Sequence, residues 1–451
     1  MKKPKKALLV LGLLALSSLL FWFATSPSSY LVRQSILKTN QLESMAVAKP
    51  WFAPQGLVLM FVDAQKYSPT ALAKQIAATG AAAVVMDSAV AIKRFSGNGT
   101  HCLDAQRIAE PLQHLAEWAD VSDGRRLIAG IGDGALLAFL AATTQPANNT
   151  DYLSVGFSAE LPNAISVCPP FTSTNQDQKT VLVPPSGLTI HWRSVWADQP
   201  QTDTAVFVRQ LSGITTDIAA YDSPLDQLTI KEINALMKKN ANPSSTMPTV
   251  EVLAENPKPT VTIFYSGDGG WRDLDRTVAE ELVKLNYSVV GVDVLRYFWE
   301  YKSPEQAAAD LAKLMAYYRQ TWDAENFVLA GYSFGADILP AVYNRLLPQD
   351  QANIPLLVLL APAERASFEI HVSGWLGQDA GELAVAPEVA VIPKNKLLCI
   401  YGKEERDERG CTALDNSAAE VVELPGGHHF DQDYPKLTRR ILAVYHSHGI
   451  D

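Results

Sequence analysis

Gly331-Tyr332-Ser333-Phe334-Gly335 is a GxSxG pentad. An apolar run, NFVLA at 326–330, leads into it, and a helical pattern begins at Ala336. Strand, tight turn and helix in that order are the setting in which a serine is held up as a nucleophile. The turn forces strained backbone angles, so small residues must flank the serine. Its hydroxyl then stands at the carboxyl edge of a sheet, over the positive end of the following helix. Ser333 is therefore the candidate nucleophile of an acyl transfer.

A serine needs a base, an acid to orient that base, and donors for the developing oxyanion. All five histidines of the second half follow Ser333: His371, His428, His429, His446 and His448. His428 and His429 lie in LPGGHHF, a glycine-rich loop after the last apolar run, which makes one of the two the candidate base. The acid is expected after the preceding strand, in Lys403-Glu404-Glu405-Arg406-Asp407. Glu405 has the Gly-x-x-acid spacing, Asp407 lies slightly further along, and Asp407 is preferred. One oxyanion donor is the N–H of Phe334. The other comes from Ser266-Gly267-Asp268-Gly269-Gly270-Trp271, with the Asp268 N–H as candidate. Gly267 and Trp271 of that loop are read as lining the substrate site. Asp268 and Asp337 flank the nucleophile and offer a partner for a substrate ammonium group. The set requires no cofactor and no metal.

The elements that must position these residues repeat. Continuous apolar strands alternate with helical segments twice, which marks parallel sheets covered on both faces. LVLMFVD near 57 resembles VTIFYSG near 261, and AAVVMDSAV near 82 resembles SVVGVDVLR near 288. RLIAGIGDGALLAFLA at 126–141 resembles FVLAGYSFGADILPAV at 327–342. Gly132 stands where the second half has Ser333, so the first half has no nucleophile there. The expected fold is α/β: two tandem three-layer α/β-hydrolase-like units with mostly parallel sheets, the first degenerate. The expected boundaries are a signal peptide or membrane anchor at 1–28, a linker at 29–50, and a degenerate unit at 51–230. A Pro/Asn/Ser-rich linker follows at 231–259, and the catalytic unit at 260–451.

Composition narrows the function classes. With a net charge of −10 and no basic cluster beyond the N-terminus, nucleic-acid binding is excluded and adhesion to anionic lipid is disfavoured. Four lysines among residues 2–6 precede an apolar run from Ala7 to Ala24, an export signal long enough to remain as an anchor. Four cysteines fall as one pair in each half, Cys102 with Cys168 and Cys399 with Cys411, which suits two disulfides in an exported chain. No CxxC spacing supports a zinc ribbon.

YSGDGGWRDLD, GYSFGAD, the CIYG strand with its acidic loop, and LPGGHHF together resemble the bacterial virulence protein family of AcvB and VirJ. A chain of two units is similar to AcvB, while VirJ corresponds mainly to the second. The resemblance implies a periplasmic serine hydrolase acting on the aminoacyl ester of aminoacylated phosphatidylglycerol, the lysyl or alanyl form, with no cofactor. It implies Ser333 as nucleophile, His428 or His429 as base and Asp407 as acid. The VirJ name implies a link to type IV secretion. The alternatives are a secretion or virulence accessory that binds protein partners, or an esterase of another substrate.

Overall fold

The computed structural model describes residues 32–39, 42–50, 53–96, 102–121, 124–144, 149–161, 165–176, 179–238, 247–370, 381–408, 410–411 and 420–450. The chain divides into two compact units. The first takes the described residues of Met1–Val195, Val206–Thr216 and Pro224–Asn242, and the second those of Trp196–Ala205, Asp217–Ser223 and Pro243–Asp451.

In the first unit the sheet is built from β1 (Val32–Thr39), β2 (Leu42–Pro50), β3 (Gly56–Val62), β4 (Ala82–Asp87), β5 (Arg125–Ile131), β6 (Thr150–Val155), β7 (Thr189–Trp196) and β8 (Ser212–Ile218). Their order is β1-β2-β4-β3-β5-β6-β7-β8. The strands from β4 through β7 pair in parallel, and β1 and β2 add antiparallel at one edge. Helix α1 (Pro69–Ala78) packs with Leu225–Lys238, while α2 (Asp133–Ala142) packs with Ser88–Phe95 and Ala105–Ala109. Every residue of α2 from Gly134 to Ala142 is buried, as expected of a helix that is apolar all round.

The second sheet contains β9 (Thr249–Val252), β10 (Thr260–Tyr265), β11 (Ser288–Val292), β12 (Asn326–Tyr332), β13 (Leu356–Leu360), β14 (Leu397–Gly402) and β15 (Glu420–Leu424). Their order is β9-β11-β10-β12-β13-β14-β15, parallel except for β9. β10, β13 and β14 are buried along their whole length because helices cover both faces. Helices α3 (Leu274–Val283) and α6 (Tyr434–Ser447) pack together on one face, and α4 (Pro304–Thr321) and α5 (Phe334–Asn344) on the other. Alternate residues show the pleat: Phe264, Val328, Ala330, Val358, Leu360, Leu398 and Ile400 share the α3–α6 core with Val278, Leu282, Ile441 and Tyr445. The chain is thus two tandem α/β-hydrolase-like units with mostly parallel sheets.

The expected linkers hold structure. Residues 29–50 contain β1 and β2, where Met45 and Val47 of LESMAVAKP are buried two apart on one face. Within 231–259, the helix Leu225–Lys238 runs to its end and β9 forms an antiparallel edge, while 239–246 lie outside the described residues. The export segment at 1–28 also lies outside them. Among the described residues no helix is long and apolar enough to cross a membrane. Cys102 bonds Cys168, with Cα atoms 5.0 Å apart, and Cys399 bonds Cys411 at 5.7 Å.

Candidate active site

Ser333 sits between β12 and α5 with φ 51° and ψ −120°, a conformation that side-chain-bearing residues rarely adopt. The surrounding structure holds it there. Its N–H donates to Leu360 O at 2.9 Å, tying the turn to β13. A Cβ at Gly335 would lie 2.4 Å from Tyr265 O, and one at Gly331 2.5 Å from Gly335 itself. Only glycine at both positions lets α5 rise this close to β10 and leave the serine on the crest.

His428 Nε2 lies 2.9 Å from Ser333 Oγ, and His428 Nδ1 lies 2.5 Å from Glu405 Oε1. A carboxylate can only accept, so Nδ1 carries the proton and the Nε2 lone pair faces the serine. Glu405 is nearly enclosed, with 10% of its side chain exposed, and His428 is open at 41%. The arrangement is that of a Ser–His–acid triad, with the acid buried behind the base.

Of the two candidate acids, Glu405 is the one the structure places against the base. Lys403–Glu408 is a 3-10 helix, and Glu405 is the residue it sets against His428. The Asp407 side chain lies outside the described residues. The acid and histidine loops are pressed together: Glu404 N–H donates to Gly426 O at 3.0 Å, and a Cβ at Gly402 would lie 2.2 Å from Gly427 O. Arg406 pairs with Glu423, whose Oε2 also accepts from Tyr401 Oη at 2.9 Å, fastening this loop to β15. That Arg406 guanidinium holds the Glu423 carboxyl below its usual range. The Cys399–Cys411 bridge closes the segment that carries Glu405.

Of the two histidines, only His428 meets the serine. His429 turns to Tyr332, its Nδ1 3.0 Å from a hydroxyl that also donates to the His428 carbonyl at 3.3 Å. Tyr332, the second residue of the pentad, was not singled out by sequence reasoning. Burial pushes its phenol up, with Asp275, Tyr434, Glu405 and Asp268 adding to the effect, so it stays neutral and steadies the histidine loop.

The oxyanion loop follows β10. A Cβ on Gly267 would lie 3.7 Å from Ser333 Cβ, so this backbone borders the nucleophile directly. Asp268, the next residue, is half-buried, and Phe334 opens α5 beside the serine, its ring 5.5 Å from that of Phe298. Two expected substrate contacts go elsewhere. Trp271 is 5% exposed, with its ring edge-on to Phe264 in the niche that Gly291 leaves, so it is core. Asp337 Oδ1 accepts from Ala363 N–H at 2.6 Å, so its carboxylate fastens the loop after β13. Asp268 remains as the anionic side chain beside the nucleophile. Sequence reasoning also passed over two buried carboxyls behind this loop, Asp275 and Asp293.

Residues 259–448 match the family described as Bacterial virulence protein (VirJ). The second unit is therefore similar to that family. The match opens one residue before β10 and closes one after α6, so it takes in every element that carries the triad and leaves out β9. No curated protein matches the chain. Among solved structures, the chain is similar to an α/β serine hydrolase without lid from Xanthomonas campestris, at 16% identity over 44% of this chain and 88% of that one, TM-score 0.31. It is also similar to Est1E from Butyrivibrio proteoclasticus, at 12% identity over 45% and 94%, TM-score 0.34. A Pyrococcus furiosus esterase is similar at 17% identity over 44% and 91%, TM-score 0.31.

Proposed function

We propose that the protein is a periplasmic serine carboxylic-ester hydrolase that cleaves the aminoacyl ester of aminoacylated phosphatidylglycerol. The observation that carries the reading is the line Ser333 Oγ, His428 Nε2, His428 Nδ1, Glu405 Oε1, joined at 2.9 and 2.5 Å. His428 takes the proton of Ser333 as Oγ attacks the ester carbon. The N–H groups of Phe334 and Asp268 face the oxyanion that forms. The glycerol hydroxyl leaves with the proton from His428, and the aminoacyl group stays on Ser333. Water, deprotonated by the same histidine, then releases the amino acid. Glu405 holds the imidazole in the working tautomer and steadies its cationic form.

The resemblance supplies the lipid, and Asp268 supplies a carboxylate that suits a substrate ammonium. The export segment at 1–28 supports a site facing the periplasm, with the N-terminal segment as tether. A binding role for the first unit, with type IV secretion components as partners, is the second reading. It is favoured by Gly132 at the place of the nucleophile.

The test uses the purified full chain in mixed micelles with lysyl- and alanyl-phosphatidylglycerol, following free amino acid. Release by the wild type and none by Ser333→Ala is expected. No release from either lipid, under conditions where a short-chain ester is cleaved, would sink the substrate and leave the reaction class.

A further inference from the structure

The oxyanion loop hangs on two carboxyls that the reaction itself does not use. Asp293, at the end of β11, is 2% exposed, and Asp275, in the first turn of α3, is 3% exposed. The Trp271 N–H donates to the Asp293 carboxylate, which also caps Val294–Tyr297 by accepting from Arg296 N–H at 3.2 Å. The Arg272 N–H donates to Asp275, whose Oδ1 is buried without a hydrogen-bond partner. Gly270, at φ +83°, leaves the space Asp293 fills: a Cβ there would lie 3.2 Å from Asp293 Oδ1. Ser266, fully buried, makes the third tie by accepting from Val294 N–H at 3.0 Å. The loop that brings Gly267 and Asp268 to Ser333 is thus fixed from behind at both ends.

A buried carboxyl with an oxygen that no donor reaches, beside a second buried carboxyl, is costly to the fold. Apolar or amide side chains would close the same space more cheaply, and such a cost gathers where function needs it. The groups facing Asp293 are the Arg296 guanidinium on its own helix, the Trp271 and Arg296 N–H groups, and Asp275 from α3. Asp275 in turn feels Asp273 and lies close enough to Tyr332 to push its phenol up.

We propose that Asp275 and Asp293 are positioning residues that hold the loop Ser266–Arg272, and with it the Asp268 N–H, against Ser333, and that the hold depends on Asp293 being ionised. Charge-assisted N–H bonds are about twice as strong as neutral ones, so protonating Asp293 slackens its grip on Trp271. Burial pushes the Asp293 carboxyl up to about 6, against the pull of its donors and of Arg296. Loss of the hold therefore falls in the pH range in which ester hydrolysis is assayed. His428 must also be neutral to act as a base. The acid side of the rate profile then reports two protons, one on the histidine and one on Asp293.

This rests on Ser333 as the nucleophile, and the experiment separates the two. The full chain, wild type and Asp293→Asn, is assayed on p-nitrophenyl acetate from pH 4.5 to 8.5. Ser333 labelling by a fluorophosphonate and Tm at pH 7.5 are measured in parallel. The expected wild-type acid limb of log kcat/KM has a slope above one. In Asp293→Asn the slope falls to one, kcat at pH 7.5 drops roughly ten- to a hundredfold, KM stays within about twofold, and Tm is unchanged or higher. A merely structural Asp293 would instead lower Tm and leave the limb alone. A wild-type limb of slope one overturns the inference with no variant needed, as does a variant with wild-type kcat and limb. A wild type that neither hydrolyses the ester nor takes the label overturns Ser333 as nucleophile and this inference with it.

Discussion

The two units make the same turn with different residues. Gly132 has φ 56° and ψ −119°, and Ser333 has φ 51° and ψ −120°. Gly132 N–H donates to Val155 O at 3.0 Å, as Ser333 N–H donates to Leu360 O. Gly130 and Gly134 crowd each other as Gly331 and Gly335 do, with a Cβ at Gly134 reaching 2.1 Å from Phe61 O. One strand over, Gly156 at φ 67° matches Ala361 at φ 49°. The strained turn therefore belongs to the scaffold, where it packs a helix onto a sheet. Chemistry is added by the residue on the crest and by the loops after the last two strands. In the second unit those loops bring Glu405 and His428. In the first half the segments after β7 and β8, 197–205 and 219–224, contain no histidine. The lesson is that a nucleophile elbow can outlive its nucleophile, so the elbow alone is no evidence of catalysis.

Exchanging the crest residues breaks the comparison most sharply. Ser333→Gly gives the second unit the first unit's turn. Ester turnover is expected to fall roughly 10⁴- to 10⁶-fold. Glycine also relieves the positive φ, worth about 1 kcal/mol or a rise of roughly 2–4 °C in Tm. A variant that stays active, read by ester hydrolysis, contradicts the assignment. Removing the orienting acid comes next. Glu405→Gln is expected to cost roughly 10³- to 10⁴-fold in kcat, and Asp407→Asn less than about twofold. The reverse ranking would restore Asp407 as the acid. The smallest effect is expected from Gly132→Ser. A Cβ there meets nothing within 4 Å, so the cost is the positive φ alone, about 1 kcal/mol of stability by denaturant unfolding. No ester turnover is gained by the isolated substitution, because the segment after β8, 219–224, holds no histidine.

The elbow was legible because glycine–serine–glycine between an apolar strand and a helix has few other readings. The histidine loop was legible for a similar reason: LPGGHHF needs its glycines where Gly402 and Gly427 meet. The choice between Glu405 and Asp407 was not, since it turns on the 3-10 geometry of a loop whose charged residues look alike in sequence. Trp271 read as a binding residue because its niche is made by Gly291, twenty residues away. Asp337 read as a substrate partner because nothing in the sequence places Ala363 N–H beside it. Asp87 and Asp293 hold matching places in the repeated motifs AAVVMDSAV and SVVGVDVLR. Asp87 caps the helix Ser88–Phe95 through Ala89 N–H at 2.8 Å and is half-buried, while Asp293 is buried under the oxyanion loop. Burial and long-range contact, absent from local pattern, separate the two aspartates.

The central claim is that one serine of this chain, on the second of two equivalent turns, is activated by its surroundings. Intact-mass and peptide mass spectrometry of the full chain after treatment with a fluorophosphonate tests it directly. A single adduct is expected, on the peptide containing Ser333, lost in Ser333→Ala and strongly slowed in His428→Ala. An adduct elsewhere, or labelling of Ser333 that is indifferent to His428, would contradict it.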